Sequence, residues 1–146
     1  MRLVLDTDVV VAALRSDRGA SRQLLLAALD RRMVVLASVP LMLEYEAVLT
    51  RPEHLDRMGI TAEEIGTVLD ALAAVVEPVI LRFLWRPQLR DPADEMVLET
   101  AGNGRADRLA TFNLRHFGPA ARGFGIRAAP PGAIWKEIRG VNHEKK

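Results

Sequence analysis

A chain of 146 residues has the size of one ordinary domain, and with 49% hydrophobic residues it has enough apolar side chain for a core. It has no cysteine, which excludes a disulfide framework, a thiolate metal site and a cysteine nucleophile. A net charge of +1 excludes a generally basic nucleic-acid coat, so any nucleic-acid contact has to be local. The opening MRLVLDTD has no signal-peptide core, and no stretch reaches the ~18 apolar residues that span a bilayer. The expected setting is therefore the cytoplasm, with no membrane partner.

In chain order, RLVL (2–5) reads as a buried strand because it is short, apolar and followed by an acid. Residues 8–14 read as a helix, 16–19 (SDRG) as a turn, and the leucine- and alanine-rich 20–29 as a second helix. MVVLA (33–37) reads as a second buried strand. Ser38 and Pro40 then start a helix that runs to about Thr50, with a short helix at 52–57. Thr61 and Glu64 form a capping box ahead of Ile65, Val68, Leu69, Leu72 and Val76 at helical spacing, predicting a helix over 62–76. PVILR (78–82) is strand-like. Asp91-Pro92 is an N-cap with proline at the first helical position of a helix to about 102. RLATF (108–112) and a segment near 124–128 read as strands, and 131–138 as a closing helix. The expected domain is 1–138, with a polar, frayed tail over 139–146.

Strands that alternate with helices imply a parallel sheet covered on both faces, here a three-layer α/β/α domain with four or five mainly parallel strands. Functional groups in such sheets collect past the carboxyl ends of the strands. Asp6 and Asp8 follow the first strand. Glu44 lies early in the helix after the second, Asp94 opens the helix beginning at Pro92, and Asn113 follows the strand at 108–112. This topology predicts that all of them share one rim. Clustered carboxylates repel and raise one another's pKa unless a cation neutralises them, and oxygen ligands alone select Mg2+ or Mn2+. A metal so held activates water and stabilises phosphoryl oxygens, which is nuclease chemistry.

Each acid also has a plainer reading. Asp91 reads as a cap, Asp94 also suits the helix dipole, and Glu46, Glu63, Glu95 and Glu99 read as solvated helix faces. Asp6 is harder to dismiss, because an acid that ends a buried strand has no structural need to be there.

Three blocks resemble the PIN-domain family, particularly its branch of toxin components of toxin–antitoxin systems. LVLDTDVVVAALRSDRGAS resembles the family's opening strand and Asp-Thr-Asn-Val helix, with Asp8 in place of the usual asparagine. ASVPLMLEYEAVLTRPEH is similar to its Glu-containing helix, and LRDPADEMVLETAGNGRADRLATFNLRHF to its Asp-Pro-x-Asp and Thr-x-Asn/Asp region. The likeness spans roughly 2–136. It implies a metal-dependent endoribonuclease that hydrolyses RNA phosphodiesters, with Asp6, Glu44 and Asp94 holding Mg2+ or Mn2+ and Asn113 assisting. It also implies a cognate antitoxin and a homodimer. Asn113 replaces a fourth acid, and His116 stands where relatives carry aspartate, so the site is less charged than in a four-acid member. Thr7 and Ser16 are candidates to orient the site, and Arg15, Arg105 and Arg115 to contact phosphates. The apolar faces of 20–29 and 62–76 are candidates for the antitoxin's helix, although core packing accounts for most of them. Trp85 and Trp135 read as packing residues.

Two other readings stay open. Asp6-Thr7-Asp8-Val9-Val10 fits the opening motif of haloacid-dehalogenase-type phosphatases, with Asp6 as nucleophile and Asp8 as acid/base. That family's lysine is missing, however, because no lysine precedes Lys136. The altered fourth position also permits a PIN fold that only binds RNA or a protein. A dinucleotide site is disfavoured, because Gly102-x-Gly104 ends a helix instead of opening one.

Overall fold

The computed structural model describes residues 1–16, 18–83, 89 and 91–144, the last four by backbone alone. Trp85, expected to pack, lies outside these residues, as do Asp17, Lys145 and Lys146.

Five parallel strands form the sheet: β1 (Arg2–Leu5), β2 (Val34–Ala37), β3 (Glu77–Pro78), β4 (Arg108–Ala110) and β5 (Arg127–Ala129), in the order β3-β2-β1-β4-β5. The register sets Leu3 beside Val35 and Arg108, so β1 is central. Successive strand residues point to opposite faces. Leu3, Val4 and Leu5 are all buried, as are Val35, Leu36 and Ala37, so both faces of the sheet are covered.

The helices supply that cover. They are α1 (Thr7–Arg15), α2 (Ala20–Leu29), α3 (Val39–Leu49), α4 (Pro52–Met58), α5 (Ala62–Ala73), α6 (Pro92–Asn103), α7 (Leu114–Gly123) and α8 (Pro131–Glu144). α6 lies on β1 and β2 and touches α7; α8 lies on β4 and against α2, which packs on α1 and α5. The three-layer α/β/α architecture matches the expectation. Most apolar residues of α2 and α5 are core (Leu24, Leu25, Ile65, Leu69 and Leu72), which leaves Leu26 exposed. Trp135 also packs, against the core and beneath the guanidinium groups of Arg32 and Arg139.

Local signals set the helix starts. The Ser38 hydroxyl accepts from the Leu41 amide, and Asp91 Oδ1 accepts from the Ala93 amide at 2.9 Å. The capping box of Thr61 and Glu64 is complete in both directions. The ends of α2, α6 and α7 share one geometry, in which two amides beyond the cap return to carbonyls of the last turn. The residue after the cap is left-handed: Arg31 (φ 58), Arg105 (φ 53) and Gly125 (φ 73). Gly104, one residue earlier on α6, is needed for another reason. A Cβ there would stand 2.9 Å from both the Thr100 carbonyl and Val79.

Besides β4 and β5, which cover Arg108–Ala110 and Arg127–Ala129 against the expected 108–112 and 124–128, four expectations change. The strand at 78–82 contracts to Glu77–Pro78, after which one further bond joins the Val79 amide to the Ala37 carbonyl. Proline cannot donate to a ladder, and β3 is an edge strand. The helix at 62–76 stops at Ala73. α8 continues beyond 138 to Glu144. α7 was not among the expected elements, which left 113–123 unassigned. It forms nonetheless, burying Phe117 and Ala121 with Pro119 inside it.

Candidate functional site

Asp6 leaves β1 with its amide still bonded to the Ala110 carbonyl of β4 at 2.9 Å. It occupies the N-cap position of α1, where an aspartate ordinarily accepts from the helix's first amides. Its carboxylate makes no such cap bond. The side chain is buried, with 5% exposure, and Oδ2 accepts instead from the Thr111 hydroxyl at 2.8 Å. Thr111 is itself fully buried just past β4, and its oxygen also accepts the Asn113 amide at 2.9 Å. One hydroxyl thus orients Asp6 and shapes the turn into α7. The Thr7 backbone, next in the chain, also favours the ionised Asp6 carboxylate. Ser16 is exposed beyond the other end of α1, with no contact to these groups.

Burial, followed by the charges of Asp8 and Asp94, raises the Asp6 pKa to about 6, against the pull of Thr111 and the Thr7 amide. Burial, Asp91 and Asp8 likewise raise Asp94, and His116 opposes them. His116 Nε2 stands 2.8 Å from Asp94 Oδ2, which gives the histidine a definite place at the site. His116→Gln is expected to move the titration of Asp94 upward, read by carboxyl-carbon NMR. An unchanged titration would rule out the pairing.

α3 reaches the same rim. The fully buried Tyr45 hydroxyl donates to the Leu5 carbonyl at 2.5 Å, at the carboxyl end of β1, and burial and Asp6 push its pKa up. Ser38 Oγ and Thr100 Oγ1, 2.7 Å apart, join the start of α3 to α6. Glu44 precedes Tyr45 and is half-buried. No contact ties it to Asp6 or Asp94. Asn113 is exposed and is the N-cap residue of α7, without a side-chain cap bond.

Among the described residues, no three acidic or histidine side chains converge tightly enough to grip one cation unaided. What the structure brings into one field is Asp6, Asp8 and Asp94. The donor set is all oxygen and over-charged, which suits a hard divalent cation. Asp8 is exposed, and Glu44 and Asp94 are partly so, which leaves these side chains room to rotate toward an ion while Asp6 and Thr111 stay fixed.

Several residues fall differently from the sequence expectations. Asp8 belongs to the acidic field, on the rim where its position after the first strand put it, although the resemblance named it no metal ligand. Thr111 was visible within Thr111-Phe112-Asn113, but nothing local marked it as the partner of Asp6. Arg115 is exposed in the first turn of α7, next in sequence to His116, and Arg15 is exposed at the end of α1. Arg105 is not at the site. It is held left-handed between α6 and the start of β4, beside Arg2, at the amino-terminal end of the sheet. A crossover helix returns the chain to the end of the sheet opposite the site. Glu95 and Glu99 are buried (3% and 1% exposed), against the expectation of a solvated face, and Glu95 Oε1 accepts from the Leu89 amide at 2.6 Å. Glu46 and Glu63 are exposed as expected, and Asp91 is the cap.

A family profile described as "PIN domain" matches residues 2–115, which contain every acid discussed above. Comparison with curated proteins returns no match. No helix among the described residues is long and apolar enough to cross a membrane.

Proposed function

The chain belongs to the PIN-domain family, and we propose that it is a Mg2+- or Mn2+-dependent endoribonuclease acting as the toxin of a toxin–antitoxin pair. PIN domains are generally nucleases, so hydrolysis of a phosphodiester follows from the family. The family also replaces the phosphatase reading of Asp6-Thr7-Asp8.

The observation that carries the proposal is Asp6. It is a buried carboxylate at a cap position that does not cap, held by Thr111, its pKa raised by that burial and by two neighbouring acids. Such a group is destabilising unless it serves a cation. Asp6, Asp94 and Glu44 are the residues proposed to hold the metal, Asp8 adds negative charge beside them, and Asn113 offers a neutral oxygen. A divalent cation in that place supplies charge stabilisation of phosphoryl oxygens and acidifies water. Thr111 fixes the direction of the Asp6 carboxylate. His116, against Asp94, favours its ionised form.

The test is cleavage of a labelled mixed RNA with Mg2+ or Mn2+ and with EDTA, comparing the wild type with Asp94→Ala. Cleavage that requires the metal and falls by more than about 100-fold in the variant is expected, exceeding the usual effect of disturbing an outer ligand shell. A folded, partner-free protein that cleaves with neither metal would leave a binding-only PIN fold. The toxin role, the antitoxin and the homodimer rest on the resemblance of the three sequence blocks. Growth arrest on expression, relieved by the product of an adjacent small reading frame, is the expected outcome, and unimpaired growth would refute that role.

A further inference from the structure

The two edges of the sheet end differently. β3 is two residues long and contains Pro78, which has no amide to offer a further strand. β5 has no proline within it. Its Arg127 amide and Ala129 carbonyl are engaged by β4, bonded to the Asp107 carbonyl and the Thr111 amide. Neighbouring residues of a strand direct their backbone groups to opposite sides, so the Ala128 amide and carbonyl face outward, where no strand lies among the described residues. They open into a groove of about 800 Å³ between β5 and α7, with Leu114 and Pro119 as an apolar floor and no acidic residue in its lining. Arg127 also lines the groove, but Glu137 stands 3.4 Å from it and balances its charge. The unbalanced charges are Arg115 and Arg122, both exposed and without an ion pair among the described residues. Two turns apart, they lie on one face of α7, about 10 Å from each other along its axis.

A groove with a strand edge on one side and a helix on the other admits one extended chain. The outward Ala128 carbonyl needs a donor and the amide an acceptor. A polypeptide backbone supplies both, and a polynucleotide backbone has no amide to donate. A second copy of this chain, paired through the same edge, would set Arg122 and Arg127 against their own kind. We propose that the α7–β5 groove is a docking site for an extended acidic segment of another protein, added as a further strand beside β5, with aspartate or glutamate side chains on Arg115 and Arg122. An extended chain advances about 3.3 Å per residue, so the two arginines match acids roughly two to four positions apart. Apolar residues between those acids rest on Leu114 and Pro119. This surface is separate from the apolar faces of α2 and α5, and it stands whether or not the chain cleaves RNA.

The experiment is fluorescence anisotropy of a short labelled peptide in which glutamate alternates with valine, set against the same peptide with lysine for glutamate. The glutamate peptide is expected to bind at least about 10-fold more tightly. Arg115→Glu combined with Arg122→Glu should reverse that order, and because both side chains are exposed the fold is not at stake. Ala128→Pro removes the outward amide and leaves the ladder to β4 intact. The folded variant, checked by its melting temperature, should bind the glutamate peptide about 10-fold more weakly. A glutamate peptide N-methylated along its backbone tests the same pairing on the unaltered protein and should also weaken by at least about 10-fold. Equal binding of the two peptides, binding of neither, or an N-methylated peptide that binds as well as its parent would each overturn the proposal. So would preference for a labelled oligoribonucleotide, lost on the same arginine reversals, which would assign the groove to nucleic acid.

Discussion

Asp6→Asn is expected to lose cleavage and, without metal, to be more stable than the wild type at neutral pH. Asp6 has a folded-state pKa of about 6, raised from 3.8 by burial and by Asp8 and Asp94. A raised carboxyl pKa means that the folded state binds the proton more tightly than the unfolded chain does. The stability this confers is complete below pH 3.8 and is lost as pH rises through 6. Above that range ionised Asp6 costs the fold on the order of 3 kcal/mol. Asparagine keeps an oxygen for the Thr111 hydroxyl and removes the charge, so the variant escapes the loss. Its melting temperature at pH 7.5 in EDTA should rise by several degrees, since ~1 kcal/mol corresponds to about 2–4 °C at this size. The two proteins should converge near pH 4. Mg2+ should stabilise the wild type and not the variant, because only a ligand that binds the folded state shifts the equilibrium. Cleavage should fall by more than about 100-fold. A variant that is less stable at neutral pH would show that Asp6 is a satisfied structural acid, and the case for a cation at this position would fail with it.

Thr111→Val is expected to act in the opposite sense on stability and in the same direction on activity. Valine matches threonine in shape, so the buried site stays filled. The lost hydroxyl takes two bonds with it, one to Asp6 Oδ2 and one from the Asn113 amide. Leaving buried groups unsatisfied costs about 1–3 kcal/mol. Thr111 also lowers the Asp6 pKa, so its removal lets that pKa climb further. The acid limb of the cleavage profile should then move to higher pH. Thr111→Ser, which retains the oxygen, should restore both the profile and most of the stability. A purely structural role would lower the melting temperature without moving the pH profile. An unmoved profile in Thr111→Val would therefore remove Thr111 from the site.

Both predictions depend on a pair of residues separated by 105 positions, Asp6 and Thr111, and that separation explains which features of the protein are legible in sequence. Strand β1, helix α2, the caps at Ser38 and Asp91 and the capping box of Thr61 and Glu64 were all readable from residues a few positions apart. Their causes are local: apolar periodicity, and side-chain oxygens that satisfy amides two or three residues on. The parallel, doubly covered sheet followed from the alternation of such elements, and with it the prediction that acids after strands meet at one rim. Asp6 and Asp94 do share a field there, with Asp8.

Only the tertiary structure decided the rest. The Asp6 carboxylate turns from its own helix to a hydroxyl just past β4. Asp94 meets a histidine from α7, a helix that the sequence reading did not assign and that buries Phe117 and Ala121. Glu95 and Glu99 look like a solvated stripe until the fold buries them, and Arg105 looks like a neighbour of the site until the crossover sends it to the far end of the sheet. Local propensity reports the free energy of a few adjacent residues. Burial, long-range hydrogen bonds and the clustering of charge exist only once distant segments have been brought together, and in this chain those are the terms from which the site is made.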